Sequence, residues 1–289
     1  MDISGKTQVC GVIGDPIEHT LSPTIHNAAF NHLKLDFVFL AFQVKAAELE
    51  NAIHGMRSLG IHGLNVTMPH KSAIINSLDK VDSAVQFLGS ANTILNRDGR
   101  LSGFNTDGVG ALYALRENGV ELADKKVLLL GAGGAAKAIA FSFAQEAGSL
   151  CILNRVPEKA AVLADALNSM FGKEIEGGAL SPSAVQKNMQ DSDILVNATS
   201  VGMHPNINQS MVAPKWLKAN LAVMDIVYNP AETKLAKDAK AAGAKVISGV
   251  EMLIYQGAAS FKIWTGKLAP IEVMRKEALK KLSSVGDEK

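Results

Sequence analysis

Apolar and polar positions come in short alternating blocks over the first hundred residues. Val9 to Gly14 (VCGVIG) is an apolar run closed by the turn pair Asp15-Pro16, and Phe37 to Val44 (FVFLAFQV) is a second run of strand length. Between them Ser22 reads as an N-cap with Pro23 at the first helical position, and Ile25, Ala28, Ala29 and Leu33 continue one apolar face. A helix predicted from about Ala46 to Leu59 stops near Gly60, and Gly63 to Val66 (GLNV) forms a third strand. The step Pro69-His70-Lys71 that follows reads as the start of another helix. This β-α repetition predicts a mainly parallel sheet surrounded by helices.

The pattern changes after Asn105–Gly108 (NTDG). A helix over about Val109 to Asn118 leads into strand, glycine turn and helix in immediate succession (KKVLLLGAGGAAKAIAFSFAQEAG). LCILNR is the next strand, Pro157 to Asn168 a helix, and DILVNAT, AVMDIV and KVISG are three later strands. That order predicts a doubly wound nucleotide-binding fold. The stretch from Gly249 to Leu282 is helical in pattern with a break near Gly266. It is too short to form a domain and is expected to pack back onto the N-terminal one. No repeat of solenoid period and no low-complexity tract occurs, and the last residues, SSVGDEK, read as frayed.

At 289 residues the chain is long for one core, which points to roughly two domains. Hydrophobic residues make up 47% and charged residues 20%, so a sizeable core can be buried. Lysine plus arginine number 29 against 28 acidic residues, a net charge of +1, which argues against binding nucleic acid or a membrane surface through bulk charge. Cys10 and Cys151 lie far apart in apolar runs and read as buried thiols of a reducing compartment, not as a disulfide or a metal pair. No apolar stretch approaches about 18 residues, and MDISGKTQ lacks the pattern of a signal peptide. The expectation is a soluble cytoplasmic protein.

Two stretches carry candidate chemistry. Asn65 to Lys71 (NVTMPHK) places an amide, a hydroxyl and an ammonium along one short edge, a set suited to a small polyhydroxylated ligand. The alternative is a strand end at which Asn65 and Thr67 satisfy backbone groups and Lys71 is solvated. Gly131, Gly133 and Gly134 follow the apolar strand Val127 to Leu130, and small Ala135 and Ala136 open the next helix. Such a turn lets backbone N–H groups and the helix N-terminus face a pyrophosphate. The loop Gly131-Ala132-Gly133-Gly134-Ala135-Ala136 ends in alanine where a third spaced glycine is usual, and that position only needs to be small. One strand later, where an NAD site carries a carboxylate, the chain has Asn154-Arg155, with Lys159 a helical turn on. A guanidinium there suits the 2′-phosphate of NADP; the alternative is a solvated surface arginine.

Asn65–Lys71 also resembles the substrate and catalytic motif of the shikimate dehydrogenases, and four further segments resemble that family in order, from Val12 to about Gly266. In His19–Pro23 (HTLSP), Thr20 and Ser22 align with the hydroxyl pair that holds the substrate carboxylate; threonine stands where serine is usual. In SANTI, Asn92 takes a substrate-amide position. In FNTDGVG, Asn105 is followed by Asp107, which in the family sits beside the motif lysine at the hydroxyl being oxidised; its alternative is a turn residue of an Asp-Gly pair. In NATSVGM, DIVYNP and GVEMLIYQGAASF the resemblance implies Thr199, Val227, Gly249 and Met252 around the nicotinamide. It implies Tyr228 and Gln256 on the substrate carboxylate and a ring hydroxyl. Val156 departs from the family's usual threonine and offers no hydroxyl to the 2′-phosphate.

The resemblance implies an α/β protein of two domains. Residues 1–106, completed by helices in 250–289, would be the substrate-binding and catalytic domain with a mainly parallel sheet. Residues 107–249 would be a Rossmann-type doubly wound NADP-binding domain. It implies NADP-dependent interconversion of 3-dehydroshikimate and shikimate, with Lys71 and Asp107 catalytic and the identity of the formal base open. Asn65, Thr67, Asn92, Thr20, Ser22, Tyr228 and Gln256 would bind substrate. Gly131, Ala132, Gly133, Gly134, Ala135, Asn154, Arg155, Lys159, Thr199, Val227, Gly249 and Met252 would bind cofactor. Quinate remains an alternative substrate, because an added hydroxyl is poorly excluded by shape alone. A non-catalytic NADP-binding regulator would be expected to have lost Lys71 or Asp107. His19, His26 and His70 match no compact ligand spacing and no cysteine joins them, so no metal is expected, and His70 reads as a local cap or as a neighbour that supports the site residues. The expected partners are a small-molecule substrate, with no nucleic acid and no membrane, in a monomer or homodimer.

Overall fold

Why the N-terminal strands form one sheet follows from their side chains: β1 (Gln8–Gly14) is buried along nearly its whole length and β3 (Gly63–Val66) along all of it, so both need neighbours on two sides. The computed structural model describes residues 3–286. In chain order β1 is followed by α1 (Ser22–His32), β2 (Phe37–Gln43), α2 (Leu49–Ser58), β3, β4 (Lys80–Val81), α3 (Ser83–Leu88), β5 (Thr93–Arg97) and β6 (Arg100–Phe104). The sheet order is β2-β1-β3-β5-β6-β4. Strands β1/β2, β1/β3 and β4/β6 pair in parallel, while β3/β5 and β5/β6 are antiparallel. The sheet is thus mainly parallel, with an antiparallel hairpin that the β-α reading did not anticipate. Asp98 and Gly99, both at positive φ (52° and 83°), form its two-residue turn between the paired Arg97 and Arg100. Ile13, Ile53, Met56, Leu64, Ile74 and Ile94 fill the core between sheet and helices.

Several local expectations are corrected. Ser22 is the first residue of α1 and not its cap; Leu21 is the N-cap, and the Thr20 hydroxyl accepts the Ser22 N–H at 3.3 Å. The segment from Ala46 begins as a short 3₁₀ turn (Ala46–Glu48) and only then becomes α2. Pro69-His70-Lys71 starts no α-helix: the Lys71 carbonyl accepts from Ala91 N at 2.8 Å, so it is turned toward the neighbouring loop. A 3₁₀ turn over Ala73–Ser77 follows instead.

The chain divides into two compact units, one comprising residues 1–106 and 254–289, the other 107–253. The second unit runs α4 (Asp107–Glu117), β7 (Lys126–Leu130), α5 (Gly134–Ala144), β8 (Ser149–Asn154), α6 (Pro157–Phe171), β9 (Ile175–Ala179), α7 (Pro182–Met189), β10 (Ile194–Asn197), β11 (Ala222–Asp225), α8 (Lys234–Ala241) and β12 (Lys245–Ser248). Its six strands lie in the order β12-β11-β10-β7-β8-β9 and are parallel throughout. The order reverses between β7 and β10, the switch point at which doubly wound sheets bind ligands. β9, α7 and α8 were not anticipated from sequence, and α4 starts at Asp107, two residues earlier than expected.

The last two helices are α9 (Gly249–Thr265) and α10 (Ile271–Gly286), with the break at Gly266 as expected. Residues from Ile254 onward belong to the first unit, where α10 packs on α1 and the Trp264 indole N–H donates to the Ile94 carbonyl at 2.9 Å. α10 continues through Ser283 to Gly286, where fraying was expected; residues 287–289 and the first two residues of MDISGKTQ lie outside the described residues.

Candidate active site

In the first unit, Asn65 points from β3 into a polar cluster. Its Nδ2 faces three oxygens: the Asn92 carbonyl at 3.2 Å, Thr93 Oγ1 at 3.2 Å and Ser260 Oγ at 3.0 Å. Asn92 Oδ1 accepts from Thr106 N at 2.8 Å and from the Thr93 hydroxyl at 3.0 Å. Its Nδ2 donates to Thr106 Oγ1 at 3.0 Å and reaches Gln256 Oε1 at 3.5 Å. Thr93 Oγ1 and Ser260 Oγ lie 2.7 Å apart, and Ser260 Oγ is also 3.1 Å from the Gln256 carbonyl oxygen. β3, β5, the end of β6 and α9 are thereby tied together through groups that are almost fully buried. One acceptor in this cluster has no partner, the Oδ1 of Asn65. An unmet buried carbonyl costs about 1–3 kcal/mol.

The remaining expected residues of this unit cluster in sequence around the same strands. Thr67 follows β3, and its N–H donates to the Ile13 carbonyl at 3.0 Å. His70 is buried, its Nε2 2.7 Å from the Val44 carbonyl, and so acts as a local cap. Lys71 is half-buried, its backbone held beside Ala91, the residue before Asn92. Thr20 Oγ1 and Ser22 Oγ lie 3.2 Å apart, a paired hydroxyl edge of the kind that can hold a carboxylate. Asp107, buried, is the first residue of α4 in the second unit and follows Thr106 of the cluster directly in the chain. Tyr228, 39% exposed, also belongs to the second unit.

The glycine turn of the second unit has two parts. Gly131 sits at φ +114°, and a Cβ there would lie 2.8 Å from the Ala198 carbonyl oxygen, so backbone and space both demand glycine. Gly133 and Gly134 face open space, and Gly133 caps α5 with no side-chain acceptor. The first-turn N–H groups, which lack intrahelical partners, are open to an anion. Ala132 is buried and Ala135 half-buried beneath this edge. At the end of β8, the Asn154 amide donates to the Val156 carbonyl at 3.0 Å and so shapes the turn that carries Arg155. Arg155 and Lys159 are exposed, and neither forms an ion pair among the described residues. This edge fits an NADP: a bare helix N-terminus for the pyrophosphate and two cations for the 2′-phosphate.

Family profiles cover most of the chain. A shikimate dehydrogenase substrate-binding domain matches residues 12–94, a shikimate/quinate 5-dehydrogenase profile matches 113–239, and a shikimate 5′-dehydrogenase C-terminal domain matches 249–279. A protein of Methanocaldococcus jannaschii named shikimate dehydrogenase (NADP(+)) is 45% identical over 286 residues, covering 97% of this chain and 99% of that protein. The chain belongs to the shikimate dehydrogenase family. Among solved structures, a family member in complex with NADP+ is 44% identical with a TM-score of 0.91, over 97% of this chain and 98% of that one. The enzyme of Listeria monocytogenes in complex with shikimate and NAD is 37% identical, also with a TM-score of 0.91, over 96% and 98%.

Within the family framework, three members of the polar cluster were missed from sequence: Thr93, Thr106 and Ser260. A usable signal existed, since Thr93 and Thr106 adjoin Asn92 and Asp107 in their motifs and Ser260 lies one helical turn beyond Gln256. Cys10 is buried and burial pushes its thiol far up, whereas Cys151 is only partly buried, contrary to expectation. Burial first, and the nearby Glu176 carboxylate second, raise the Cys151 thiol to about 11. His19 is exposed and His26 buried among aromatic rings; no group of three or more metal-ligating side chains occurs among the described residues. No helix among them is long and apolar enough to cross a membrane.

Proposed function

We propose that this protein catalyses the NADP-dependent, reversible reduction of 3-dehydroshikimate to shikimate, a step of aromatic amino-acid (chorismate) biosynthesis. The observation that carries the reading is the Asn65–Asn92 cluster. It gathers buried amides and hydroxyls of the kind that read a polyhydroxylated ring, and one of their acceptors, Asn65 Oδ1, has no hydrogen-bond partner. The shikimate complex of the Listeria monocytogenes relative and the NADP(+) name of the 45% identical relative support the choice of ligands.

The substrate half of this reading is residues 1–106 with the helices of 250–289, and the cofactor half is residues 107–249. Thr20 and Ser22, with Tyr228, would hold the carboxylate; Asn65, Thr67, Asn92 and Gln256 the ring hydroxyls. The Gly131–Ala135 edge would bind the pyrophosphate and Asn154, Arg155 and Lys159 the adenosine 2′-phosphate. Thr199, Val227, Gly249 and Met252 would flank the nicotinamide. When bound, NADPH supplies the hydride for the ketone carbon. The chain must deliver a proton to the ketone oxygen in the same event and take it back in the reverse direction. Lys71 and Asp107 are the pair proposed for this, one transferring the proton and the other orienting it. The two free thiols accord with a reducing, cytoplasmic setting, and the proposed assembly is a monomer or homodimer.

Steady-state oxidation of shikimate and of quinate, each with NADP and with NAD, tests the reading. It is upheld if kcat/KM is highest for shikimate with NADP. A rate led by quinate would move the enzyme to quinate chemistry, and no turnover of either would refute it.

A further inference from the structure

A buried carboxylate outside all of these assignments, Asp225, joins the loops expected to hold the nicotinamide. It stands at the C-terminal end of β11, in register with Asn197 at the end of β10. Asp225 Oδ1 accepts from the Asn197 amide at 2.9 Å and from Val227 N at 3.2 Å, and Oδ2 accepts from the Thr233 hydroxyl at 2.6 Å. Asn197 passes the constraint on: its Oδ1 accepts from the Thr199 hydroxyl at 2.7 Å and from Thr199 N at 3.2 Å, and Thr199 Oγ1 accepts from Val201 N at 3.1 Å. On the other side the Ile226 carbonyl lies against Gly249, where any Cβ would collide with it. Ala198, within the first loop, packs its carbonyl against Gly131 of the glycine turn. One carboxylate therefore fixes the loop after β10 and the loop after β11, both at the strand ends beside the switch point.

The chemistry of the three donors requires an acceptor on both oxygens. The Asn197 amide, the Val227 N–H and the Thr233 hydroxyl all donate, so the group serves as a carboxylate. Burial pushes its carboxyl up, and Thr233, Val227 and Asn197 oppose that rise in that order. An NH₂ in place of Oδ1 would set a donor against the Asn197 amide and Val227 N–H, and one in place of Oδ2 would force the Thr233 hydroxyl to accept where it now donates. The side chain is 1% exposed and is filled by three protein donors, so it is not placed to touch ligand itself.

We infer that Asp225, with Thr233 and Asn197, is a positioning residue that holds Thr199, Val227 and Gly249 in the geometry the nicotinamide end of the cofactor requires. This rests on the dehydrogenase reading above. Loss of the carboxylate would loosen the nicotinamide end while leaving the adenosine end, held by the Gly131 turn and Arg155, as it was.

The test compares wild type with Asp225→Asn, Thr233→Val and Thr233→Ser. Binding of NADP+ and of adenosine 2′,5′-bisphosphate, which lacks the nicotinamide, is titrated for each, along with kcat and the KM for shikimate. The expected result for Asp225→Asn and Thr233→Val is a kcat lower by about 10- to 100-fold and weaker NADP+ binding. Affinity for the bisphosphate and the shikimate KM stay within about twofold, and Thr233→Ser, which keeps the hydroxyl, recovers most of the loss. Unchanged kcat and NADP+ affinity in both disruptive variants overturns the inference. So does a parallel fall in affinity for both ligands, which marks a purely structural role. If Asp225→Asn does not fold, the Thr233 pair decides by the same criteria. A wild-type protein that binds NADP+ but turns over neither shikimate nor quinate overturns the dehydrogenase reading, and the positioning inference with it.

Discussion

The imidazole of His26 stacks on the ring of Phe39, centroids 4.5 Å apart and planes 10° from parallel, and neither ring nitrogen has a hydrogen-bond partner. Trp264 and Phe261 close around it, so the ring is fully buried in an aromatic pocket between α1, β2 and α9. Burial lowers its pKa from the ordinary 6.5 to about 3. The folded protein therefore holds His26 neutral while the unfolded chain protonates it below pH 6.5. The stability this contributes is fully present above that pH and is lost as pH falls toward 3. Between pH 7 and pH 5 the loss is about 2 kcal/mol, at about 1.4 kcal/mol per pH unit. Urea unfolding of wild type and His26→Leu at both pH values checks it: the wild type should lose this stability and the variant should not. Equal pH dependence in the two proteins would contradict a neutral, buried imidazole.

Lys71→Ala should lower kcat by about 10²- to 10⁴-fold while the KM for shikimate changes little, as expected for loss of proton transfer without loss of binding. A variant at full rate would remove Lys71 from the mechanism. Comparing kcat for Lys71→Ala and Asp107→Asn would show on which of the two side chains the rate depends more.

Gly131 and Gly134 should respond in opposite ways to alanine. Gly131→Ala forces a side chain into φ +114° against the Ala198 carbonyl and should cost about 1–3 kcal/mol from backbone strain alone. Gly134→Ala meets open space and should leave the thermal midpoint of the apoprotein unchanged or raised, while weakening NADP binding through bulk at the pyrophosphate edge. Thermal melts without cofactor and NADP titrations on both variants test the pair. A destabilised Gly134→Ala with normal NADP affinity would show that this turn is structural only.

Arg155→Ala should reduce kcat/KM with NADP by about 10- to 100-fold, the range of a charge-assisted hydrogen bond, and leave the value with NAD nearly unchanged. Raising the salt concentration should shrink the wild-type advantage of NADP, because Arg155 and Lys159 are exposed. If the NADP-to-NAD ratio is the same in wild type and variant, the 2′-phosphate is held elsewhere.

The doubly wound half was legible because its signals are local: an apolar strand, a glycine turn and a small-residue helix adjoin in sequence, and the strand order follows from the crossover rule. The first sheet was less so. Asp98-Gly99 is a strong two-residue hairpin signal, yet the flanking TILNR and RLSGF are short and half polar, and they were passed over among longer apolar runs. Ser22 was misread because its Ser-Pro pair fits a cap equally well one residue earlier, and only the Thr20 hydroxyl on its N–H decides the register. α8 escaped notice because its charged face outweighs Leu235, Ala236 and Ala239, the residues it buries. The site motifs were visible as strings. The cluster linking Asn65, Asn92, Thr106 and Ser260 was not, since its members lie up to 195 residues apart and meet only through the fold.

Because the first unit is interrupted after Thr106 and resumes at Ile254, its six strands emerge from the ribosome before the helices that complete its core. Trp264, which caps the Ile94 carbonyl, and α10, which covers α1, are made only after the whole second unit. During synthesis the second unit, continuous in sequence, is free to fold on its own, while β1 to β6 wait with the face of α1 uncovered. A pause or premature stop late in translation would thus leave a complete cofactor half joined to an incomplete substrate half. The uncovered apolar face of that product would make it a substrate for chaperones and proteases.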